Sequence, residues 1–240
     1  LIMGLRRKKF DLVIVLNTVS FSVTSMLLAV ASGASVRAGV TSRPFGSDLS
    51  ERFYNIELPL PSERELESMH ESEHNLFPLA VLDVEESDLS SILVPTDREW
   101  GEAEKFVSGE VKGDFILVHP GAGKVANIWP PAKFAAASDY LARKYSLKIV
   151  LVEGPADERV FSDFVRSCPA EAVLLRSPSV GCLGAVMTHA AVTLCNDTGI
   201  MHIAGAVGAP SVAVFGPTDP DRWKPAVDNV IAVRADNHRI

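Results

Sequence analysis

Cysteine is scarce in this chain. Cys168, Cys182 and Cys195 are the only three in 240 residues, too few and too irregularly spaced for a disulfide framework or a zinc knuckle. Three buried or half-buried thiols suit a reducing compartment. Basic charge is also short: 23 Lys and Arg stand against 30 Asp and Glu, a formal net charge of −7. A general nucleic-acid binder carries a basic surplus or stripe, so nucleic acid is not expected as a partner. The one compact basic run, Arg6-Arg7-Lys8-Lys9, reads as a wetted surface turn. No period organises the 16 glycines and 15 prolines, which excludes collagen and solenoids. Leu12 to Val36 contains no charge, but Asn17, Thr18, Ser20, Ser22, Thr24, Ser25, Ser32 and Gly33 interrupt it. A short β-rich run followed by a helix explains that stretch without a membrane span.

Apolar residues make up 47% of the chain and charged residues 22%, the composition of a folded globular protein. The N-terminal part reads as an α/β fragment. Leu12–Leu16 is strand-like, Phe21–Ala31 helical, and Val36–Val40 a second strand. Ser62 with Glu65 is a capping-box pattern that opens a helix as far as Phe77, where Pro78 stops it. Ser91–Val94 reads as a short edge strand. The weakest pattern lies between Thr96 and Gly113, so a linker is expected there, dividing the chain into domains of residues 1–108 and 109–240.

The second part is more regular. Strands are expected at Phe115–His119, Leu147–Val152, Ala172–Leu175, Val192–Cys195, Ser211–Phe215 and Val230–Val233. Helices are expected at Pro131–Lys144, Ala156–Ser167, Ser179–Ala190 and Gly199–Val207, the last closed by Gly208. This alternation implies a parallel sheet covered by helices on both faces. Ligands of such sheets bind outside the carboxyl ends of the strands. The turns His119–Lys124, Glu153–Glu158, Asn196–Thr198 and Gly216–Asp221 should therefore converge.

Each turn has residues suited to an anionic ligand, and each also has a plain structural role. The turn His119-Pro120-Gly121-Ala122-Gly123-Lys124 is neither a Walker A loop nor a dinucleotide fingerprint. Gly121 and Gly123 would let backbone N–H groups approach a ligand, and Lys124 would meet a phosphate or stay solvated. Asp197 or Thr198 would cap the helix that opens at Gly199, whose leading N–H groups favour phosphate. His202 falls off the apolar face of that helix, so it would look toward the crevice or serve as a satisfied structural histidine. Thr218 could line the same crevice or merely shape a turn. Asp157 and Glu158 could accept hydrogen bonds from a ribose, or simply favour a first helical turn. His70-Glu71-Ser72-Glu73-His74 spells the zincin pattern, but no third ligand is apparent, and an ordinary helix surface is the expected reading. No metal-binding residue is expected.

At these positions the chain resembles the heptosyltransferase family of bacterial lipopolysaccharide synthesis, glycosyltransferase family 9. The resemblance rests on His119-Pro120-Gly121-Ala122-Gly123, Trp129-Pro130 and Gly154-Pro155-Ala156-Asp157. It continues through Asn196-Asp197-Thr198-Gly199, Met201-His202-Ile203-Ala204, Gly208-Ala209-Pro210 and Phe215-Gly216-Pro217-Thr218-Asp219-Pro220. It covers residues 114 to 225 well and 8 to 80 loosely, the latter through Lys9-Phe10-Asp11-Leu12-Val13-Ile14 and the His70 to Asn75 helix.

The resemblance implies a GT-B-like pair of Rossmann-like α/β domains, the N-terminal one incomplete and lacking the family's first strands. The C-terminal domain would hold a nucleotide sugar, most characteristically ADP-heptose. The N-terminal domain would receive a lipopolysaccharide core or other glycan acceptor. It implies a cytoplasmic protein with peripheral contact at the inner membrane, and no tightly bound cofactor, with Mg2+ as an optional companion of the ADP-sugar. In that scheme Asp157 or Glu158 takes the ribose. Thr198 and Gly199 hold the diphosphate, Asp197 positions the loop and His202 supports it. No catalytic residue is assigned, because the expected general base belongs to the segment ahead of Lys9. A lysine that normally stands two residues before the Trp-Pro pair is replaced by Asn127. A non-catalytic nucleotide-sugar-binding or assembly protein is the alternative reading, and a purely structural α/β domain the third.

Overall fold

The computed structural model describes residues 2–16, 22–46, 49–83, 88–154 and 158–234. It divides into two compact units, residues 1–89 and 90–240.

The first unit opens with α1 (Ile2–Arg7), β1 (Leu12–Val15), α2 (Val23–Ser32) and β2 (Val36–Val40). The charge-free stretch is thus a strand and a helix joined to a second strand. Among the described residues no helix is long and apolar enough to cross a membrane. Ser22 caps α2, its hydroxyl accepting from Ser25 N–H at 3.3 Å, and Gly33 ends it in the left-handed region at φ +79°, as capping predicts. A single-turn helix α3 (Ser50–Phe53) then leads to β3 (Ile56–Leu58). The sheet has the order β1-β2-β3 and is parallel throughout, with Leu12 opposite Val36 and Ala38 opposite Ile56. Met26 and Ala29 of α2 pack with Val15 and Tyr54 in a small buried cluster.

The expected single helix from Ser62 to Phe77 is in fact two. The Ser62/Glu65 capping box opens α4 (Glu63–Ser68), and Met69 ends it in extended backbone. His70 then caps α5 (Glu71–Leu76): its Nδ1 accepts from Ser72 N–H at 3.1 Å, while its own N–H donates to Glu73 at 2.8 Å. His70 therefore stands outside the helix that carries His74. His74 is buried, with Nδ1 3.8 Å from a Glu71 carboxylate oxygen. Pro78 lies inside a 3-10 segment, Phe77–Leu82, and continues the chain where a stop was expected.

The second unit begins earlier than the expected linker. Residues 97–106 form α6 (Asp97–Phe106), capped by Thr96 and Glu99 and continued by a π-helical turn, Val107–Val111. Ala103 is fully buried, and Trp100 and Phe106 pack with it against the core that includes Leu183 and Met187. The segment is thus part of the domain, because one narrow apolar stripe suffices to dock a charged helix. Ser91–Val94 forms no strand. It is held by Leu93 N–H donating to the Ala206 carbonyl at 3.0 Å.

The remaining elements follow in order: β4 (Phe115–His119), α7 (Pro131–Tyr145), β5 (Lys148–Glu153), α8 (Glu158–Ser167), β6 (Ala172–Arg176), α9 (Val180–His189), β7 (Val192–Asn196), α10 (Gly199–Ala206), β8 (Ser211–Phe215), α11 (Pro220–Trp223) and β9 (Val230–Arg234). The sheet order is β6-β5-β4-β7-β8-β9, with every neighbouring pair parallel. All five residues of β4 are buried. Its side chains alternate between two cores: Phe115 and Leu117 pack with α6 and α9, Ile116 and Val118 with Phe134 of α7 and Phe164 of α8. Helices on both faces explain the continuous apolar runs 115–118 of β4 and 149–152 of β5.

Candidate functional site

The order of the second sheet locates the site. From β4 the chain moves outward to β5 and β6, then returns to place β7 on the other side of β4. The carboxyl ends of β4 and β7 thus flank the topological switch point, where doubly wound sheets open a crevice. His119 ends β4 and Asn196 ends β7, and Asn196 lies in register one position beyond the His119–Cys195 pair.

Asn196 is fully buried, and its amide ties two loops together. Nδ2 donates to the carbonyls of Pro120 (2.8 Å) and Gly121 (3.1 Å), and Oδ1 accepts from Trp129 N–H at 3.0 Å. The glycine-rich turn after β4 is therefore pinned at both ends to the end of β7. The Trp129 ring meets Phe134 edge-on, with centroids 4.9 Å apart. At the other side of the turn, His119 Nδ1 lies 3.3 Å from the Val152 carbonyl, linking the ends of β4 and β5.

Asp197 makes the second junction. Its Oδ2 accepts from Asn127 Nδ2 at 2.9 Å and from Thr218 Oγ1 at 2.6 Å. Three loops, those following β4, β7 and β8, therefore meet at one carboxylate. Of the two expected caps, Thr198 occupies the N-cap position of α10 but its side chain makes no capping hydrogen bond, while the Asp197 carboxylate is taken by Asn127 and Thr218. The leading N–H groups of α10 are left without a side-chain acceptor, with the positive end of the helix dipole behind them. Gly199 is exposed, and a Cβ built on it would touch nothing within 4 Å.

Cys195, beside Asn196, is fully buried, and burial followed by the nearby Asp197 charge pushes its thiol up to about 12. It is a neutral packing residue at physiological pH.

The other expected site residues are placed as follows. Gly121 is buried and spends its carbonyl on Asn196. Gly123 and Lys124 are exposed, Gly123 with open space around it. Glu158 is the exposed first residue of α8. His202 is exposed on α10. Asp157 lies outside the described residues. Lys124 and Glu158 make no hydrogen bond to the Asn127–Asp197–Thr218 group among the described residues. Asn127 and Asn196 were not on the expected roster. The usable signal for Asn196 was its position at the end of a buried strand, where an amide needs partners.

Two cavities are lined by residues other than Asn127, Asp197 and Thr218. One of about 340 Å3 in the second unit lies between α7 and the sheet, lined mainly by Trp129, Phe134, Leu141, Leu194 and Val212. The first unit holds one of about 560 Å3 beyond the ends of β2 and β3, lined by Thr41, Arg43, Glu57 and Leu66 among others. Arg43 pairs with Glu51 at its edge. The loop junction, with its convergent polar groups, is the better site for a charged ligand than the apolar cavity. Among the described residues no group of three or more His, Cys, Asp or Glu side chains could hold a metal ion.

A doubly wound α/β unit with loops gathered at its switch point defines the class of protein. The particular family follows from comparison: the model of glycosyltransferase family 9 (heptosyltransferase) matches residues 1–239, and the chain belongs to that family. It is 32% identical over 131 residues to lipopolysaccharide heptosyltransferase 3 of Escherichia coli, covering 52% of this chain and 38% of that protein. Across two such E. coli relatives the matched part spans 38% and 51% of their length, about half or less. In structure the chain is similar to a family 9 glycosyl transferase from Veillonella parvula, with a TM-score of 0.82 at 22% identity, covering 98% of this chain and 67% of that one. It is also similar to an E. coli heptosyltransferase solved with ADP-2-deoxy-2-fluoro heptose, with a TM-score of 0.66 at 20% identity, covering 99% and 70%. These likenesses agree with a GT-B-like pair of α/β units, each built on a parallel sheet.

Proposed function

We propose that this chain is the scaffold of an inverting glycosyltransferase that moves heptose, or a related sugar, from an ADP-sugar to a lipopolysaccharide core or similar glycan acceptor. Residues 109–240 would take the donor and residues 1–108 the acceptor, with α6 belonging structurally to the donor-side unit. The reading is carried by the loop junction at Asp197: three loops meet beside a helix start that has no side-chain cap. Family membership over residues 1–239 supplies the reaction class. A solved relative that holds an ADP-heptose analogue supports the donor.

In this reading the diphosphate lies before Gly199, near Thr198 and within reach of Lys124 and the Gly121–Gly123 turn. Asp157 or Glu158 takes the ribose, and His202 borders the sugar side. An acceptor hydroxyl attacks the anomeric carbon from the face opposite ADP, and the C–O bond to the diphosphate breaks with inversion. Charge growing on the leaving diphosphate is met by the N–H groups of α10. Each well-placed donor of this kind is worth about 3 kcal/mol in the transition state. No general base is assigned, and no step is routed through a cation. In this reading the protein works in the cytoplasm at the inner-membrane face, where such an acceptor would be met.

Calorimetry with ADP, UDP and GDP tests the donor half. ADP should bind selectively, and Asp197→Ala should abolish the heat while Glu158→Ala reduces it. Absence of binding by any of the three nucleotides would leave only a structural α/β domain. A non-catalytic nucleotide-sugar binder is the second reading, favoured by the lack of a cation beside Asp197 among the described residues. Selective ADP binding without turnover in the presence of an ADP-sugar and a glycan acceptor would establish it.

A further inference from the structure

Asn127 is 7% exposed, the last residue of a 3-10 turn, Val125–Asn127, and its N–H donates to the Lys124 carbonyl at 3.0 Å. Its side-chain Nδ2 faces two oxygens of one residue: Asp197 Oδ2 at 2.9 Å and the Asp197 carbonyl at 3.4 Å. Two acceptors on that side fix the orientation of the amide, since the flipped form would set oxygen against oxygen. Thr218 Oγ1 donates to the same carboxylate oxygen. Asp197 is thus held by two neutral donors that come from opposite sides in sequence, and it has no cationic partner among the described residues.

We propose that Asn127 is a positioning residue of the donor site: acting through Asp197, its uncharged amide clamps the turn after β4 to the loop after β8 and so sets the width of the mouth before α10. The proposal rests on the reading of that mouth as the diphosphate site. A clamp of this kind contributes no charge to the ligand. It works only while the atom facing Oδ2 is a hydrogen-bond donor. That condition separates it from simple packing. The charged group in contact with it is Asp197; Lys124 is exposed three residues upstream, and Asp219, next to Thr218 in sequence, has its carboxylate 3.6 Å from Arg234.

Two substitutions read the clamp. Asn127→Leu keeps the number and branching of the heavy atoms and removes the donor. Asn127→Asp sets a carboxylate against a carboxylate, a pair that holds together only when it shares a proton. Hydrogen exchange of peptides covering 119–128 and 216–219, normalised to intrinsic rates, reports the clamp without ligand, and calorimetry with ADP reports its consequence. Asn127→Leu should raise exchange in both peptides and weaken ADP about tenfold, the effect of one lost hydrogen bond to a charged group. Asn127→Asp should behave likewise at about pH 8 and recover protection and affinity at about pH 5, where a paired carboxyl takes up a proton. Thr218→Val, which removes the other arm, should loosen the same two peptides if the leucine variant fails to fold.

Unchanged exchange at 216–219 in both Asn127→Leu and Thr218→Val overturns the clamp. So does an Asn127→Asp variant that is insensitive to pH. A parent chain that binds no ADP removes the donor reading and this role with it. A parent that binds ADP as tightly as its leucine variant removes the positioning role alone.

Discussion

The amide of Asn196 reaches from the end of β7 to the carbonyls of Pro120 and Gly121, at 2.8 and 3.1 Å, across 76 and 75 residues of sequence. With Trp129 N–H on its Oδ1, a fully buried side chain satisfies three backbone groups of the turn that follows β4. Removing it leaves those groups without partners in a region with little water. Asn196→Ala should therefore cost about 3 kcal/mol, at the upper end for a buried polar group stripped of its partners. Asn196→Asp should cost as much, because a carboxylate cannot donate to the two carbonyls. Chemical denaturation checks both, and a loss below about 1 kcal/mol would show that the turn holds without its pin.

A second relationship joins the start of α6 to the start of α9. Glu99 accepts from Thr96 N–H and Oγ1 at 2.9 Å each, and from Ser179 Oγ at 2.8 Å. The Thr96 backbone bond, then the Ser179 and Thr96 hydroxyls, hold its carboxyl below the usual 4.5. Because the folded state depresses this group, its contribution to stability is complete above the unfolded value and disappears as pH falls through the lower folded one. The Glu99→Gln variant should thus lose the part of the Tm decline that the parent shows below about pH 4.5. Parallel melting-curve slopes in parent and variant over that range would count against the bridge. Gly181→Ala should mimic the loss at neutral pH, since its methyl would fall on the Glu99 carboxylate.

Thiol chemistry gives a third test. Cys195 is fully buried with its thiol pushed up to about 12, whereas Cys168 is half-buried and Cys182 buried, both raised by burial to a lesser degree. Thiolate is the reactive form. An aromatic disulfide reagent at about pH 8 should therefore modify Cys168 first and leave Cys195 untouched until the chain unfolds. Peptide mapping of the labelled protein decides it, and early labelling at Cys195 would mean that the β7 end opens in the native state.

Much of the second unit was legible in the sequence. Phe115–His119 and Ser211–Phe215 are continuous apolar runs bounded by turn residues, and both appear with the expected bounds. α6 was not legible, because Asp97 to Glu104 is mostly charged and its stripe of Trp100, Ala103 and Phe106 matters only once α9 is present. β3 was missed because three residues, Ile56-Glu57-Leu58, are too few to show alternation. Ser91–Val94 had strand composition, yet its order comes from contact with the end of α10. At the site, placing the turns after β4, β7 and β8 together needed only the order of strands and the rule for parallel sheets. The loop-positioning role of Asp197 was implied by the family resemblance, whereas its partners, and the roles of Asn127 and Asn196, needed coordinates. Composition shows that an amide is present, and only the fold shows which carboxylate, 70 residues away, it meets.

Gly39 in the first unit carries the last prediction. It lies in the middle of the three-stranded sheet, opposite Val15 on one side and Glu57 on the other. A Cβ built there would stand 2.5 Å from two atoms of the Tyr54 ring, closer than any real contact. The ring occupies the space a side chain at this position would take, and only glycine leaves room for it. Tyr54 is itself 6% exposed and packs with Val15 and Met26, so the ring cannot swing outward without opening that cluster. Gly39→Ala should cost about 2 kcal/mol, the usual penalty for overpacking a filled core. Tyr54→Leu relieves the clash, so the two changes should be non-additive by about 1 kcal/mol or more in a double-mutant cycle. Strict additivity would show that the ring and the strand do not compete for the same space.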